Sequence, residues 1–192
     1  DSLYAQMDRL AEAVPAGSGG VLFGPYLSGG NPDNPYASGT WLGMSMATGR
    51  AELWRSMLES IAFEYADFLA AFAANGVQVS AVHAVGGGAR SPLWNQIKAN
   101  ATGLPWLVPS RQDGAPLADA ALAAAAVGHQ ADLAATIQRW VGEGTSMIPA
   151  AVEVASYAAI QRVRRRLLGG ALADTFAALD ALRDHRPPGG TP

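Results

Sequence analysis

The spacing of apolar residues predicts two amphipathic helices in the first part of the chain. Apolar side chains recur at helical spacing between residues 3 and 14, directly behind Ser2, a residue type that favours helix N-caps. A longer apolar stripe covers residues 51–74, and the Asn-Gly pair at 75–76 follows it as a stop signal. Both segments are therefore predicted to pack one face against a core.

Short apolar runs predict strands at 21–27, 79–85 and 106–109, and the run at 79–85 is apolar enough to be a buried strand. Ser91 followed by Pro92 marks a helix start, and that helix runs to Gly103. Further helices are predicted at 116–128, 131–141 and 153–183. Strands that alternate with helices indicate a single α/β domain.

Composition narrows the class of protein. The chain has 192 residues, 49% hydrophobic and 15% charged, which is typical of a packed globular domain. A net charge of −3 gives no electrostatic case for nucleic acid or an anionic membrane, and no signal peptide or membrane-spanning run is present in the sequence. The absence of cysteine excludes disulfides and thiolate zinc sites and is consistent with a cytoplasmic location.

The best candidate for a binding site is the glycine run Gly86-Gly87-Gly88, between the strand at 79–85 and the helix that starts near Ser91. Glycines let a ligand approach the backbone, and the helix start presents free N–H groups to an anion. Arg90 follows the glycines and could reach a phosphate or stack on a base. A sharp turn without a ligand is the alternative interpretation.

Two nucleotide motifs were compared with this run. The phosphate loop GxxxxGK[ST] does not fit, because Lys98 follows Ile97 within the helix. The dinucleotide fingerprint GxGxxG fits better, with Ser91 in the third glycine position, although no acidic residue ends the next strand. A dinucleotide-binding oxidoreductase domain therefore stays as a rival interpretation.

Longer segments resemble the FGGY family of carbohydrate kinases. Residues 39–59, "GTWLGMSMATGRAELWRSMLE", have the spacing of its second signature, and "LFGPYLSGGNPDNPYASGT" resembles its proline-rich loop. "GGGARSPLWNQIKANATGLPW" is similar to its adenosine motif, most like that of the xylulokinases, and "GAPLADAALAAAAVG" is similar to the helix that follows. The resemblance covers about residues 20–160, in the family's order.

The resemblance implies a ribonuclease H-like (actin-like ATPase) α/β domain, with a mixed sheet and flanking helices. The chain would be the C-terminal lobe of two, spanning residues 1–186, with a helical region at 153–183 and a disordered tail at 187–192. The N-terminal lobe, which in this family supplies the catalytic aspartate, most sugar contacts and much of the Mg²⁺ environment, would be absent from this chain. No catalytic residue is therefore expected here, and the isolated chain is expected to be inactive.

The resemblance also implies the ligands and partners. These would be ATP with Mg²⁺, a sugar such as the ketopentose xylulose, and the N-terminal lobe of the same parent protein; a homodimer stays open. The nucleotide-binding residues would be Gly86, Gly87, Gly88, Ala89, Arg90 and Asn95. Asn31 and Asp33, in the proline-rich loop, are candidates for a substrate or interlobe contact, although a turn is the commoner role of such an aspartate.

Two departures from the family pattern support a rival function. Asn31 and Ser38 stand where the family has arginines, so two charges that could orient the loop are lost. A non-catalytic, actin-like interaction module is the alternative that these losses favour.

Other polar residues are assigned structural roles. His83 is expected to be a hydrogen-bonded core residue, and Asp113 a turn residue. The basic run at 162–166 is expected to be a solvated face or a lobe contact. Glu52 and Glu59 are expected to hold the long helix against its loop rather than to react.

Overall fold

Helices form most of the structure, a computed structural model that describes residues 2–30, 34–111, 113–129 and 132–184. The α-helices are α1 (Leu3–Glu12), α2 (Arg50–Ala74), α3 (Pro92–Thr102), α4 (Gly114–Ala126), α5 (Leu133–Val141), α6 (Ala151–Arg166) and α7 (Ala173–Asp184). The predicted helices are thus present with shifts of a few residues at their ends, and the helical region predicted at 153–183 is divided into α6 and α7. None of them, within the described ranges, has the length and hydropathy needed to cross a bilayer.

Within the described residues, five short strands form two small sheets: β1 (Leu22–Gly24), β2 (Thr40–Leu42), β3 (Val82–His83), β4 (Trp106–Val108) and β5 (Thr145–Met147). β1 and β2 are antiparallel, with Phe23 opposite Trp41. In the second sheet β3 runs parallel to β4, whereas β5 runs antiparallel to it. A mixed sheet with flanking helices is therefore confirmed, but β2 and β5 were not predicted from the sequence.

The main core lies where α2, α3 and α6 pack together. Its buried apolar members come from all three helices: Leu58, Ala62, Phe63, Ile97 and Tyr157. Phe63 and Tyr157 meet edge to face, with ring centroids 5.9 Å apart. Because α3 follows directly from the glycine run, this core fixes the position of that run relative to the rest of the domain.

A buried polar network ties α2 to α6 and to the end of the first helical segment. Oε1 of Glu59 accepts hydrogen bonds from the Arg55 Nε, the Tyr157 hydroxyl and the Gly17 amide, each at 3.0 Å. Its Oε2 accepts from the Ser18 hydroxyl at 2.8 Å. Burial raises the pKa of the Glu59 carboxyl, and the neighbouring Arg55 guanidinium partly offsets this. The predicted structural role of Glu59 is therefore confirmed.

The basic run at 162–166 is not wholly a solvated face, which corrects the sequence interpretation. Arg164 is buried and forms ion pairs with Glu64 and with Asp67 on α2, the latter at 3.0 Å. Its guanidinium also lies over the Phe63 ring, 5.8 Å from the centroid. Burial lowers the pKa of Arg164, and the two carboxylates compensate the buried charge. The helical spacing of this run places one arginine on the inner face of α6.

The expectation of a buried strand at 79–85 is wrong. The strand has two residues, and among the described strands β3 pairs only with β4, so it forms an edge of its sheet. His83 is exposed rather than a core residue, and Val85 is 55% exposed. An apolar run predicts burial only where other elements cover it, and here only one face is covered. Ala84 is 6% exposed and packs with Ala89 and Trp106, whereas His83 and Val85 are not covered by the described residues.

The C-terminal end of α2 extends beyond the core. Phe68, Phe72 and the following Val77 are 60%, 52% and 53% exposed. Between residues 68 and 77 the sequence has no charged residue, so this end of the helix presents an apolar surface.

Candidate functional site

The glycine loop (residues 86–90) connects the carboxyl end of β3 to α3. In α/β folds this end of a parallel strand is the usual place for a ligand. Gly86 has φ +80° and ψ −166°, a backbone conformation that is accessible almost only to glycine. Residues Gly87–Arg90 form a 3₁₀ turn, and the Ala89 amide donates to the Gly86 carbonyl at 3.1 Å. The loop is thus a closed turn rather than an open connection.

Two helices begin beside the loop. The Ser91 hydroxyl accepts from the Trp94 amide at 3.0 Å, which caps α3 as predicted, and Pro92 occupies its first turn. A side chain added at Gly114, the first residue of α4, would lie 3.7 Å from Val85, the residue before the loop. The positive ends of two helix dipoles therefore lie close to the glycines, which favours an anionic ligand.

The floor of the loop is buried. Ala89 packs in an apolar cluster with Ala99 and Trp106, and the Asn95 side-chain amide donates to the Ala89 carbonyl at 2.7 Å. Asn95 is 1% exposed, and its Oδ1 has no hydrogen-bond partner among the described residues. Asn95 therefore holds the loop backbone from below.

Gly88 rests directly on an aromatic ring. A Cβ added at Gly88 would lie 2.8 Å from a ring carbon of Trp94, closer than packing allows. Trp94 is itself fixed, because its indole N–H donates to the Leu58 carbonyl of α2 at 2.9 Å. A glycine at this position is what allows the loop to lie on the indole.

Lys98, the one lysine of the chain, lies beneath the same turn. Its Nζ is 3.4 Å from the Gly88 carbonyl and lies over two indole rings, 4.3 Å from the Trp94 centroid and 4.8 Å from that of Trp106. Lys98 is 3% exposed, and burial lowers its pKa to about 8. The protein thus keeps an ammonium group under the loop and outside any ion pair that the structure describes.

The outer surface of the loop is open and offers donors. Gly86, Gly87 and Arg90 are exposed, and no acceptor for the amides of Gly87 and Gly88 lies among the described residues. N–H groups, a free guanidinium and two helix starts suit an anionic or nucleotide ligand better than an apolar one.

The structure brings the predicted nucleotide residues together, in two layers. Gly86, Gly87 and Arg90 form the open surface, Gly88 is partly covered, and Ala89 and Asn95 lie beneath. Whether they touch a nucleotide stays a prediction. Asn31 and Asp33 lie outside the described residues.

Asp113 has a structural role, but at the start of a helix rather than in the predicted turn. Its carboxylate accepts from Arg111 at 3.0 Å, and this hydrogen bond lowers the pKa of Asp113. It immediately precedes α4, where an acidic residue complements the helix dipole.

Two kinds of reactive site can be examined in the described part of the chain, a free carboxylate at Glu59 and a metal centre. Glu59 is fully engaged in its buried network, and no cluster of three or more His, Asp or Glu side chains suited to a metal occurs in the described ranges. The loop can bind and orient a ligand.

Sequence reasoning missed Lys98 as part of the site. The available signal was Trp94 four residues before it, since residues at that spacing share a helix face. The second indole, Trp106, comes from the next strand, and helix periodicity alone does not reveal that contact.

Comparisons with known proteins show the family of this chain. Residues 1–127 match the family model described as "FGGY family of carbohydrate kinases, C-terminal domain". Glycerol kinase of Bordetella parapertussis is 36% identical over 144 residues, 73% of this chain and 28% of that protein. Xylulose kinase of Bacillus subtilis is 28% identical over 156 residues, 80% of this chain and 31% of that protein.

A solved structure shows the same architecture. The crystal structure of xylulose kinase from Rhodospirillum rubrum superposes with a TM-score of 0.75 at 28% identity, over 91% of this chain and 35% of that chain. This chain therefore spans about a third of the length of the relatives it matches. The fold has the ribonuclease H-like, actin-like ATPase architecture of these kinases, and the chain belongs to the FGGY family of carbohydrate kinases, as a C-terminal domain.

Proposed function

We propose that this chain is the nucleotide-binding lobe of an ATP-dependent carbohydrate kinase, and that its glycine loop holds the nucleotide. The observation that carries this proposal is the loop itself: an exposed run of glycines, fixed from below by Asn95 and the Trp94 ring, at the carboxyl end of a parallel strand. Membership of a family of ATP-dependent phosphotransferases supports ATP as the ligand.

The residues of the loop would bind and orient, and would not react. Gly86 and Gly87 leave room for the nucleotide to approach the backbone, and Arg90 would approach a phosphate or stack on the base. Phosphoryl transfer depends mainly on position and charge compensation, so a rigid cradle for ATP is itself a contribution to catalysis. Asn95 and Ala89 would act through the loop backbone.

The remaining chemistry would come from the N-terminal lobe of the parent protein. That lobe would supply the base that accepts the sugar hydroxyl's proton and most of the Mg²⁺ environment, and its closure would exclude water from the cleft. Asn31 and Asp33 would face substrate or that lobe. We also propose a cytoplasmic location, where the solution is ATP-rich and reducing, as suits an ATP-binding lobe whose 192 residues include no cysteine.

A ketopentose such as xylulose is the proposed acceptor. The support is the name of the Bacillus subtilis relative, together with a xylulose kinase as structural neighbour. Glycerol is the second candidate, since the Bordetella parapertussis glycerol kinase is the more identical of the two relatives.

The test of the nucleotide site is Gly87→Val. Gly87 has an ordinary φ, and nothing lies within 4 Å of a Cβ built there, so the variant should fold and place a side chain only in the ligand's space. Isothermal titration of the 192-residue chain with ADP should show affinity reduced about tenfold or more. Gly170→Val is the matched control, since its Cβ also meets nothing within 4 Å. Equal affinity of the two variants would contradict the proposed site.

A further inference from the structure

Lys98 is costly to bury. Its ammonium group loses most of its hydration at 3% exposure, and no carboxylate of the described residues pairs with it. An apolar residue of similar volume would avoid this cost. A buried charge outside any ion pair is therefore expected to have a task beyond filling space.

The two indoles supply most of the compensation. Cation–π attraction is strongest with tryptophan and increases when the cation is desolvated, and Lys98 contacts two such rings. The hydrogen bond from Lys98 to the Gly88 carbonyl is long at 3.4 Å. It therefore orients the ammonium group toward the loop but contributes little binding energy. The rings therefore fix the ammonium, and the ammonium points to the loop.

Both rings are held by the rest of the fold. The indole N–H of Trp94 donates to Leu58 on α2, and that of Trp106 donates to the Thr102 hydroxyl at 3.0 Å. Trp106 also meets Tyr65 edge to face at 5.2 Å. Lys98 thus connects the glycine loop to α2, α3 and β4.

We propose that Lys98 is a positioning residue for the nucleotide, which fixes the Gly88 peptide so that the glycine loop keeps its ligand-binding shape. This inference rests on the proposed function of the loop. Lys98 would act through the loop backbone, without contacting the reacting atoms.

The proposal makes the loop sensitive to the protonation of Lys98. With a pKa of about 8, the amine is charged below that pH and neutral above it, so cation–π attraction is lost as the pH rises from 7 to 9.5. The loop then loosens, and nucleotide affinity falls. The elements packed around Lys98 carry other titratable groups, most of them already paired: Arg90 in the loop, His83 on β3, and on α2 Arg50, Glu52, Tyr65, the ion pair Arg55–Glu59, and Glu64 and Asp67, both ion-paired to Arg164.

The experiment compares the original chain with Lys98→Met, which keeps the volume and removes the charge. ADP affinity is measured by calorimetry from pH 6.5 to 9.5, and the loop amides are followed by ¹⁵N chemical shifts over the same range. The original chain should lose affinity with a midpoint near pH 8, with matching shifts at Gly87, Gly88 and Ala89. Lys98→Met should bind ADP about tenfold more weakly at pH 7, with no dependence on pH near 8.

Arg162→Met is the matched control, since it removes one exposed positive charge on α6, away from the loop. It should keep both the affinity and the pH profile. The α-amino group also titrates near pH 8, and all three chains retain it. The informative quantity is therefore the difference in pH profile between the original chain and Lys98→Met.

Separate outcomes decide the two proposals. If Lys98→Met leaves the loop shifts and the affinity profile unchanged, the positioning role is wrong, even where Gly87→Val shows that the loop binds ADP. The other case is that the chemical shifts of the loop amides follow the protonation of Lys98 but the original chain binds no ADP at any pH. The coupling of Lys98 to the loop then stands, and the proposed nucleotide site is wrong.

Discussion

Glu52 and Glu59 both lie on α2, within the signature that resembles the family's, and they stabilise the chain in different ways. Oε2 of Glu52 accepts from the Gly49 amide at 2.9 Å in an exposed capping arrangement. Glu59 accepts hydrogen bonds from four different residues in a buried site. Burial, rather than charge, therefore separates their energetic roles.

We expect Glu59→Ala to lower the free energy of unfolding by about 3–5 kcal/mol, because it leaves the buried Arg55 guanidinium without its carboxylate. Glu52→Ala should cost about 1 kcal/mol or less, the usual value of a capping contact. Urea denaturation followed by circular dichroism measures both. Similar losses for the two variants would show that the buried network contributes no more than the cap.

Residue chemistry at the loop could be predicted only in part. The glycines and Arg90 are visible in the sequence, because a strand followed by glycines and a capped helix is a local pattern. The roles of Ala89 and Lys98 depend on Trp106, which arrives from a different element. Contacts between distant parts of the chain are not contained in local periodicity.

Among the elements, α3 carries the site, and its start is fixed by local chemistry. Ser91 caps it, Pro92 fits its first turn, and Gly103 ends it in the left-handed conformation with φ +70°. Each of these signals acts over a few residues, which is why the sequence predicts both ends of α3 correctly.

We expect Ser91→Ala to destabilise the domain by about 1 kcal/mol, since the Trp94 amide loses its acceptor. Ser2→Ala removes the equivalent cap of α1, where the Ala5 amide donates to Ser2 at 3.2 Å. Hydrogen exchange should separate them: Ser91→Ala increases exchange in α3 and the glycine loop, whereas Ser2→Ala affects α1. Unchanged exchange in the loop of Ser91→Ala would contradict a mechanical link between the cap and the site.

Strands are predicted less well than helices in this chain. β2 and β5 have three residues each and contain threonine or serine among few apolar positions, so no alternation is long enough to detect. The run at 79–85 gives the opposite error, since its composition suggests burial on both faces, whereas the described neighbours bury Ala84 and leave Val85 exposed. The length and exposure of a strand depend on the strands that pair with it. Those partners lie elsewhere in the chain, so a single run of sequence does not reveal them.

At the scale of the whole molecule, the chain matches about a third of each relative's length. Its described residues hold a loop that can bind and orient a ligand, but no cluster suited to a metal. The activity that we propose is that of the two lobes together.

We expect the 192-residue chain to bind ADP and to transfer no phosphate from ATP to a sugar. The parent protein should phosphorylate xylulose with a higher kcat/KM than glycerol, measured by coupled ADP release. Phosphorylation by the chain alone would contradict the division of labour between lobes. A preference for glycerol would reassign the acceptor and leave the nucleotide site intact.

The open edge of β3 and the apolar end of α2 have a consequence for solutions of this chain. Unpaired strand edges and exposed aromatic side chains are the features through which polypeptides self-associate. Val85, Phe68 and Phe72 are all more than half exposed, so copies of the chain at high concentration would cover these surfaces with each other. Turbidity and light scattering should accordingly increase with protein concentration, unless a solubilising partner or the parent polypeptide occupies those positions first.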